Sequence, residues 1–305
     1  MNYVFFGTPE FAAIVLGKLV EAKIPPSLVI TNPDRPAGRK KIITPPPTKL
    51  LAKKYNIPLA QPEVLSNFKF EIRNSKFDFF VVAAYAKILS KEILQIPRLH
   101  VIGVHPSLLP KYRGPTPIQS AILNNEKETG VTLFLLDEKI DHGPVLVSRE
   151  LEIQNSNFEI LNKRLAELAG DLLVKTIPEF TAGRLIPQKQ EETTATYTKK
   201  FTSQDGFVEP EILEAALADL NREEAKLIEI KIRALNPEPG VWTYAKALTN
   251  PKAEQARYGA SRHIRIDGEK RVKLLEAEIR ENKLILKKIQ IEGRKPTNQV
   301  LGDRF

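Results

Sequence analysis

The first half of the chain alternates short apolar runs with amphipathic stretches. We predict buried strands at residues 3–6, 28–31, 79–84, 101–104 and 131–136. Helices are expected over 10–22 and 117–123, and from Ser156, where Ser156 and Glu159 have the spacing of a capping box. Strands that alternate with helices indicate βαβ units, so the sequence predicts an α/β fold on a parallel sheet.

A polar segment separates this half from the rest of the chain. Residues 188–207 read QKQEETTATYTKKFTSQDGF, a composition typical of a linker. We therefore expect a first domain over 1–188, a linker over 189–206 and a second domain over 207–305. The second domain should contain a helical stretch over 210–235 and short strands at 262–266, 271–279 and 283–291, which favours a small β-barrel or sheet.

Composition narrows the class of protein. A chain of 305 residues with 42% hydrophobic and 27% charged residues is typical of a globular protein with room for two domains. It has no cysteine, which excludes disulfides, thiolate metal sites and a catalytic cysteine. The sequence shows neither a basic leader nor an apolar segment of membrane-spanning length, so we expect a cytoplasmic protein without a membrane partner.

The net charge of +9 is concentrated in one segment. Residues 31–54 contain five prolines and a glycine, which predicts an exposed loop rather than a helix or a central strand. The loop should follow the second strand, at the edge of the sheet where α/β proteins bind ligands. Its cations suit contact with phosphates, although a solvated loop without a partner fits the same pattern. They include Arg35, Arg39, Lys40 and Lys41.

Two polar residues are candidates for acid–base chemistry. His105 follows the strand that ends at Val104 and enters a proline-rich turn. Asp141 lies in the turn after a later strand, and a carboxylate beside an imidazole can orient the ring and stabilise its charged form. Structural roles remain open for both, since a lone histidine is often a packed residue and aspartate is common in turns.

Several segments together resemble the folate-dependent formyltransferase family, and in particular its members that act on charged initiator tRNA. In the first half these are FFGTPEFA, TNPDRPAGRKK, VVAAYAKIL, HPSLLPKYRGPTPIQ and LDEKIDHGPVL. In the second half they are ATYTKKFTSQDG, IRALNPEPGVWT and GRKPTNQVLGD. The resemblance therefore covers nearly the whole chain.

The resemblance implies a Rossmann-like catalytic domain followed by an OB-like β-barrel that grips tRNA. It implies 10-formyltetrahydrofolate as the formyl donor, methionyl initiator tRNA as the acceptor, direct attack of the amine on the formyl carbon, a monomeric enzyme and no metal. His105 and Asp141 become the catalytic pair, and the basic residues named above become tRNA contacts. The folate contacts implied are Ser107, Leu108, Leu109, Pro110, Tyr85 and Asp137, although Tyr85 also fits a core aromatic.

One position departs from the family pattern. The family has an asparagine two residues before the histidine, and this chain has Gly103. Loss of a donor aimed at a developing oxyanion costs about two to three orders of magnitude in rate. Gly103 leaves space that a water or another side chain could fill. Two alternatives stay open: a tRNA-binding homologue with weakened catalysis, and a formyltransferase for a small amine such as a sugar nucleotide. The sequence assigns no role to Trp242, His142 or His263.

Overall fold

The computed structural model describes residues 1–38, 40–65, 76–218, 222–248 and 269–298. The chain divides into two compact units. The first comprises Met1–Ile118, Lys127–Gln154 and Glu159–Thr198, and the second comprises Gln119–Glu126, Asn155–Phe158 and Lys199–Phe305. The domain limits expected from the sequence, with a linker over 189–206, remain a prediction.

Five of the nine strands described up to residue 152 match the predicted apolar runs, and the strands that begin at residues 35, 42, 59 and 145 were not predicted. The nine strands are β1 (Tyr3–Gly7), β2 (Leu28–Ile30), β3 (Arg35–Ala37), β4 (Ile42–Thr44), β5 (Leu59–Ala60), β6 (Phe79–Ala83), β7 (Val101–His105), β8 (Glu128–Leu135) and β9 (Val145–Glu152). The helices that the structure describes up to residue 181 are α1 (Glu10–Glu21), α2 (Pro47–Lys54), α3 (Lys91–Leu94), α4 (Pro117–Leu123) and α5 (Phe158–Thr181). A 3-10 turn follows at Glu192–Thr194.

Seven of these strands form one sheet in the order β5-β2-β1-β6-β7-β8-β9. The pairs from β5 to β7 are parallel, as the sequence predicted, but β8 is antiparallel to both β7 and β9. The connection from β7 to β8 contains one short helix, α4, about 10 Å long. The chain enters β8 beside the carboxyl end of β7 and runs back along it.

The core lies on both faces of the parallel strands. Every residue of β1 and β7 is buried, as expected for a sheet covered on both sides. Tyr3 stacks on Phe79 with ring centroids 4.7 Å apart, and Phe180 of α5 meets the same Phe79 ring edge-on at 6.0 Å. Leu161 and Leu165 repeat at helical spacing on the buried face of α5. This packing gives the loops at the ends of the strands a rigid support.

The basic segment is only partly the loop that its prolines predicted. Strands β3 and β4 pair as an isolated antiparallel hairpin, and α2 begins at Pro47. The expectation of a loop is wrong over 47–54 because proline fits the first turn of a helix, where its missing N–H has no partner to lose. Lys40 and Lys41 at the tip of the hairpin are exposed, as predicted.

The second unit contains a small antiparallel sheet. Its elements include α6 (Pro210–Leu217), α7 (Arg222–Leu235), β10 (Val241–Tyr244), a 3-10 turn (Ala245–Leu248), β11 (Arg271–Arg280) and β12 (Lys283–Ile291), with strand order β10-β11-β12. The predicted helical stretch over 210–235 is two helices, and the predicted strands at 271–279 and 283–291 are confirmed. The predicted strand at 262–266 lies outside the described residues.

The fold class is therefore confirmed as a mixed α/β unit followed by a small antiparallel sheet. Within the part of the chain that the structure describes, no helix has the length and apolar character needed to cross a membrane.

Candidate active site

The sheet brings several loops to one edge, because the carboxyl ends of β1, β2, β6 and β7 point the same way. The chain order reverses at β1, which has β2 on one side and β6 on the other. Ligands of open α/β sheets bind at such a point. A groove of about 400 Å³ opens here, and its lining includes Thr8, Asn32, Arg35, Ala86 and Lys87.

His105 is the last residue of β7 and is buried, with 6% of its surface exposed. Its Nε2 lies 2.8 Å from the carbonyl oxygen of Tyr112. A carbonyl can only accept, so Nε2 carries the hydrogen in this bond. Its Nδ1 faces the Oδ2 of Asp141 at 3.6 Å. A protonated ring would therefore have a partner at each nitrogen, as expected for an acid–base residue.

The antiparallel direction of β8, together with the turn that follows it, brings Asp141 to His105. Because β8 is antiparallel, Leu135 at its carboxyl end pairs with Ile102 near the start of β7, whereas His105 at the end of β7 pairs with Thr132 in the middle of β8. Three residues of strand separate Ile102 from His105, a distance of about 10 Å. Residues 136–144, the β8–β9 turn, therefore fold back along β7 and carry Asp141 to the imidazole.

The backbone of Asp141 adopts the left-handed conformation, with φ +47°. Its Oδ2 accepts a hydrogen bond of 2.7 Å from the backbone N–H of Gly114, and its carbonyl oxygen accepts one of 2.9 Å from the side-chain amide of Gln190. The carboxylate is thus held between the His105 loop and the segment around residue 190.

The space beside Gly103 is filled by apolar side chains. A Cβ at this position would lie 2.3 Å from Cδ1 of Leu136 and 2.5 Å from Cε1 of Phe134. Gly103 and His105 share a face of β7, so the asparagine of the family would project into this volume. Of the two occupants that the sequence left open, a side chain rather than a water fits the structure. Gly103 lets the β8–β9 turn pack against β7.

Residues 107–110, the SLLP turn, are fixed by Thr132 of β8. The Thr132 hydroxyl donates to the carbonyl of Ser107 at 2.7 Å and accepts from the N–H of Leu109 at 3.1 Å. The Ser107 hydroxyl is buried and donates to the Lys111 carbonyl at 2.7 Å. The polar groups of this turn therefore bond within the turn and to β8, while Leu108 is partly exposed beside it.

Asp137 and His142 form a second carboxylate–imidazole pair within the β8–β9 turn. Asp137 Oδ2 lies 2.5 Å from Nδ1 of His142, and Asp137 Oδ1 accepts from the N–H of Lys139 at 2.9 Å. His142 Nε2 faces Glu192 at 3.5 Å. Asp137 therefore bonds to its own turn, and His142, which the sequence left without a role, joins the turn to the segment near residue 190.

Arg113 is a site residue that sequence reasoning missed. It is completely buried, and its guanidinium contacts the side chains of Gln190, Glu192 and Tyr197. The hydrogen bonds between Arg113 and Glu192 raise the pKa of Arg113 and lower the pKa of Glu192. Arg113 stands inside the motif HPSLLPKYRG, but its partners lie in the polar segment that we interpreted as a linker.

Tyr85 lies in the hydrophobic core below the crevice. Its ring meets Phe6 edge-on, with centroids 5.5 Å apart. Burial raises the pKa of Tyr85 to about 12. Its hydroxyl has no hydrogen-bond partner among the described residues. The structure thus places the ring with the core aromatics, and does not bring it into the His105–Asp141 group.

The predicted tRNA contacts lie on the β3–β4 hairpin. Arg35, Lys40 and Lys41 are exposed, and Arg35 also lines the groove; Arg39 lies outside the described residues. The hairpin exposes Ile42 and Ile43 beside these cations, with 62% and 61% of their surface accessible. A cationic surface with apolar side chains is therefore continuous with the crevice. Among the described residues, no cluster of three or more His, Asp or Glu is arranged to hold a metal ion.

Comparison with known proteins identifies the family of the chain. The formyl transferase family matches residues 1–177. Methionyl-tRNA formyltransferase of Halorhodospira halophila is 41% identical over 239 residues, which cover 78% of this chain and 74% of that protein. The counterpart from Campylobacter curvus is 43% identical over 247 residues, covering 79% and 77% of the two chains.

Solved structures show the same fold at lower identity. The N-formyltransferase of Helicobacter canadensis, in complex with folinic acid and dTDP-3-aminofucose, aligns with a TM-score of 0.59 at 19% identity and covers 98% of both chains. It shares the fold alone, whereas the curated relatives share sequence across most of their length. This chain therefore belongs to the formyl transferase family, in the group of the methionyl-tRNA formyltransferases.

Proposed function

We propose that this crevice transfers the formyl group of 10-formyltetrahydrofolate to the amino group of methionyl initiator tRNA. The observation that carries the proposal is the contact between His105, at the end of β7, and Asp141, in the β8–β9 turn, beside the SLLP turn. The identity to methionyl-tRNA formyltransferases of about 40% supports this acceptor over a small amine.

His105 is proposed to move the proton that the reaction displaces. Formyl transfer replaces an N–H bond of the acceptor amine by an N–C bond, so one proton must leave the amine and one must reach the departing donor nitrogen. His105 suits both steps because imidazole gains and loses a proton near neutral pH. The amine is expected to approach Nδ1, since Nε2 is bonded to Tyr112. Asp141, 3.6 Å away, stabilises the ring while it is protonated.

The formyl donor supplies an activated one-carbon group, and the SLLP turn is proposed to contact it. Leu108 and Pro110 keep part of their surface exposed, while Ser107 is buried and bonded within the turn. The turn fits an aromatic folate ring through apolar contact and a rigid backbone. We expect Asp137 to contribute through the shape of the β8–β9 turn, and Tyr85 through its backbone.

The β3–β4 hairpin is proposed to receive the acceptor stem of the tRNA. Its exposed cations, Arg35, Lys40 and Lys41, can neutralise backbone phosphates and release counterions. The groove beside Arg35 leads along the carboxyl ends of the strands toward β7, which ends at His105. Phosphate contacts on the hairpin would thus orient the aminoacyl end toward the imidazole.

One observation favours a second candidate, an RNA-binding homologue with weak transfer. The volume of the family asparagine is occupied by Phe134 and Leu136, so this chain lacks that oxyanion donor. Such a protein would bind tRNA with a strong salt dependence but transfer formyl slowly.

Transfer of labelled formyl from 10-formyltetrahydrofolate separates the candidates. We expect product with methionyl initiator tRNA and none with free methionine, dTDP-3-aminofucose or glycinamide ribonucleotide. Product with a small amine alone would assign the chain to the small-amine enzymes. Tight tRNA binding with little or no product, and with weak or no donor binding in a calorimetric titration, would establish the RNA-binding homologue instead.

A further inference from the structure

We infer that Gln190 is a positioning residue for Asp141, anchored by the buried guanidinium of Arg113. The inference rests on the proposed function, since Asp141 matters here as the partner of His105. Gln190 lies in the polar segment whose composition indicated a linker, and nothing in its sequence context pointed to the site.

The amide of Gln190 joins two elements. Its Nε2 donates to the carbonyl oxygens of Asp141 at 2.9 Å and Gly143 at 2.8 Å. Its Oε1 accepts from Nε and Nη2 of Arg113 at 3.1 and 2.8 Å. Carbonyl groups only accept and a guanidinium only donates, so the amide has a single orientation that satisfies all four contacts. Its two hydrogens and its oxygen are all used.

Arg113 provides a fixed anchor for this amide. Its five N–H hydrogens match five hydrogen bonds: two reach Gln190, two reach Glu192 at 2.6 and 3.0 Å, and one reaches the Tyr197 hydroxyl at 2.9 Å. The side chain is 0% exposed. A planar fork with every donor satisfied has little freedom to move, so the position of Gln190 is set by the protein interior.

The hydrogen bonds from Gln190 support the backbone of the β8–β9 turn at Asp141. Asp141 has a left-handed backbone, a conformation that non-glycine residues keep only when their surroundings enforce it. Gln190 bonds the carbonyls on both sides of His142, which sets the direction of the peptide groups around Asp141. The carboxylate then meets the Gly114 N–H at 2.7 Å and faces His105.

Gln190→Glu is the most informative substitution. A glutamate keeps an acceptor for Arg113 and adds a charge that the guanidinium favours, so the anchor is retained. It removes both N–H donors and sets a carboxylate against the carbonyl oxygens of Asp141 and Gly143. Gln154→Glu is the matched control, because Gln154 is exposed in a turn of the same unit and bonds Glu152.

The experiment measures kcat and KM for labelled formyl transfer by full-length parent, Gln190→Glu, Gln154→Glu, Asp141→Asn and the Gln190→Glu/Asp141→Asn double variant. We expect Gln190→Glu to lower kcat by about 10- to 100-fold, the cost of a catalytic group displaced by about 1 Å. KM for both substrates should stay within about threefold, since ground-state binding is retained. Gln154→Glu should match the parent.

The double variant distinguishes positioning from general support of the fold. If Gln190 acts through Asp141, adding Gln190→Glu to Asp141→Asn should lower kcat by less than about threefold more. Fully additive losses, or a loss confined to KM, would overturn the inference. Parent activity in Gln190→Glu would overturn it while leaving the proposed function intact. Parent activity in Asp141→Asn would overturn both the inference and the catalytic assignment of Asp141.

Discussion

Substitution of Gly103 by alanine tests whether Phe134 and Leu136 have closed the volume of the family asparagine. The new Cβ would lie 2.3 Å from Leu136 Cδ1 and 2.5 and 2.7 Å from two atoms of the Phe134 ring. Carbon atoms pack at about 3.5–4.0 Å, so each neighbour must move by about 1 Å or more.

The structure sets the expected size of the effect. Phe134 is 3% exposed and held by the strands around it, whereas Leu136 is partly exposed and can turn away. Overpacking of a core costs about 1–3 kcal/mol, and we expect Gly103→Ala to lower the free energy of unfolding by that amount. Gly17→Ala is the control: its Cβ would meet Leu51 at an ordinary 3.8 Å. Alanine in a helix should stabilise by about 0.5–1 kcal/mol.

Urea unfolding followed by far-UV circular dichroism measures both variants. The single tryptophan, Trp242, lies in the second unit, so its fluorescence serves as an internal reference for that unit. Leu136→Ala should reduce the cost of Gly103→Ala, with a coupling of about 1 kcal/mol or more. If Gly103→Ala unfolds at the parent midpoint, the packing argument is refuted. Gly103→Asn should likewise destabilise and give no gain in rate, and a faster enzyme would contradict us.

Three further predictions concern other parts of the site. Arg113 lowers the pKa of Glu192 below its ordinary 4.5, so the unfolded chain binds protons first as the pH falls. The stability gained from the pair is full above about pH 4.5 and is lost below it, and Glu192→Gln should flatten the decline in urea midpoint between about pH 5 and 3. Replacing Lys40 and Lys41 by alanine should reduce the slope of log K for tRNA against log salt by about 2, measured by filter binding, if both contact phosphates. Gly143→Ala would set a Cβ 1.8 Å from a backbone carbonyl oxygen, so we expect loss of transfer or of soluble protein, and parent activity would show that the turn can rearrange.

The sequence was sufficient to predict the strands and helices that depend on a local pattern of residues. The buried strands β1, β2, β6, β7 and β8 and the helices α1 and α4 follow from apolar runs and from spacing, which depend on a few neighbouring residues. His105 was placed correctly at the end of β7 because a strand leading into a proline-rich turn is a local signal. Such patterns do not give strand direction, and the antiparallel direction of β8 appeared only in the structure.

The contacts that complete the site join distant parts of the chain. Arg113 and Gln190 are 77 residues apart, and Gln190 and Asp141 are 49 apart. A polar segment rich in threonine, lysine and glutamine has the same composition whether it is a linker or the wall of a site, so its pairing with a buried arginine could not be predicted. The arginine of the motif was the available signal, since a cation among glycine and prolines must find partners if it is buried.

The packing around Gly103 is a second feature that the sequence pattern could not predict. The sequence showed that the asparagine was missing, but the occupant of its volume depends on the register between β7 and β8. Phe134 stands opposite Gly103 in that register, and the turn that follows brings Leu136. The packing of β8 against β7 therefore determines that side chains, and not a water, fill the volume beside Gly103, which the spacing of residues along the chain could not show.

The most direct test of the account is formyl transfer to methionyl initiator tRNA by His105→Ala. Its control is His100→Ala, which removes an exposed imidazole. With folding verified by circular dichroism, we predict that His105→Ala loses at least about 100-fold in kcat, the scale of general acid–base catalysis, while His100→Ala keeps the parent rate. A folded His105→Ala variant that formylates the tRNA at the parent rate would contradict the proposed mechanism.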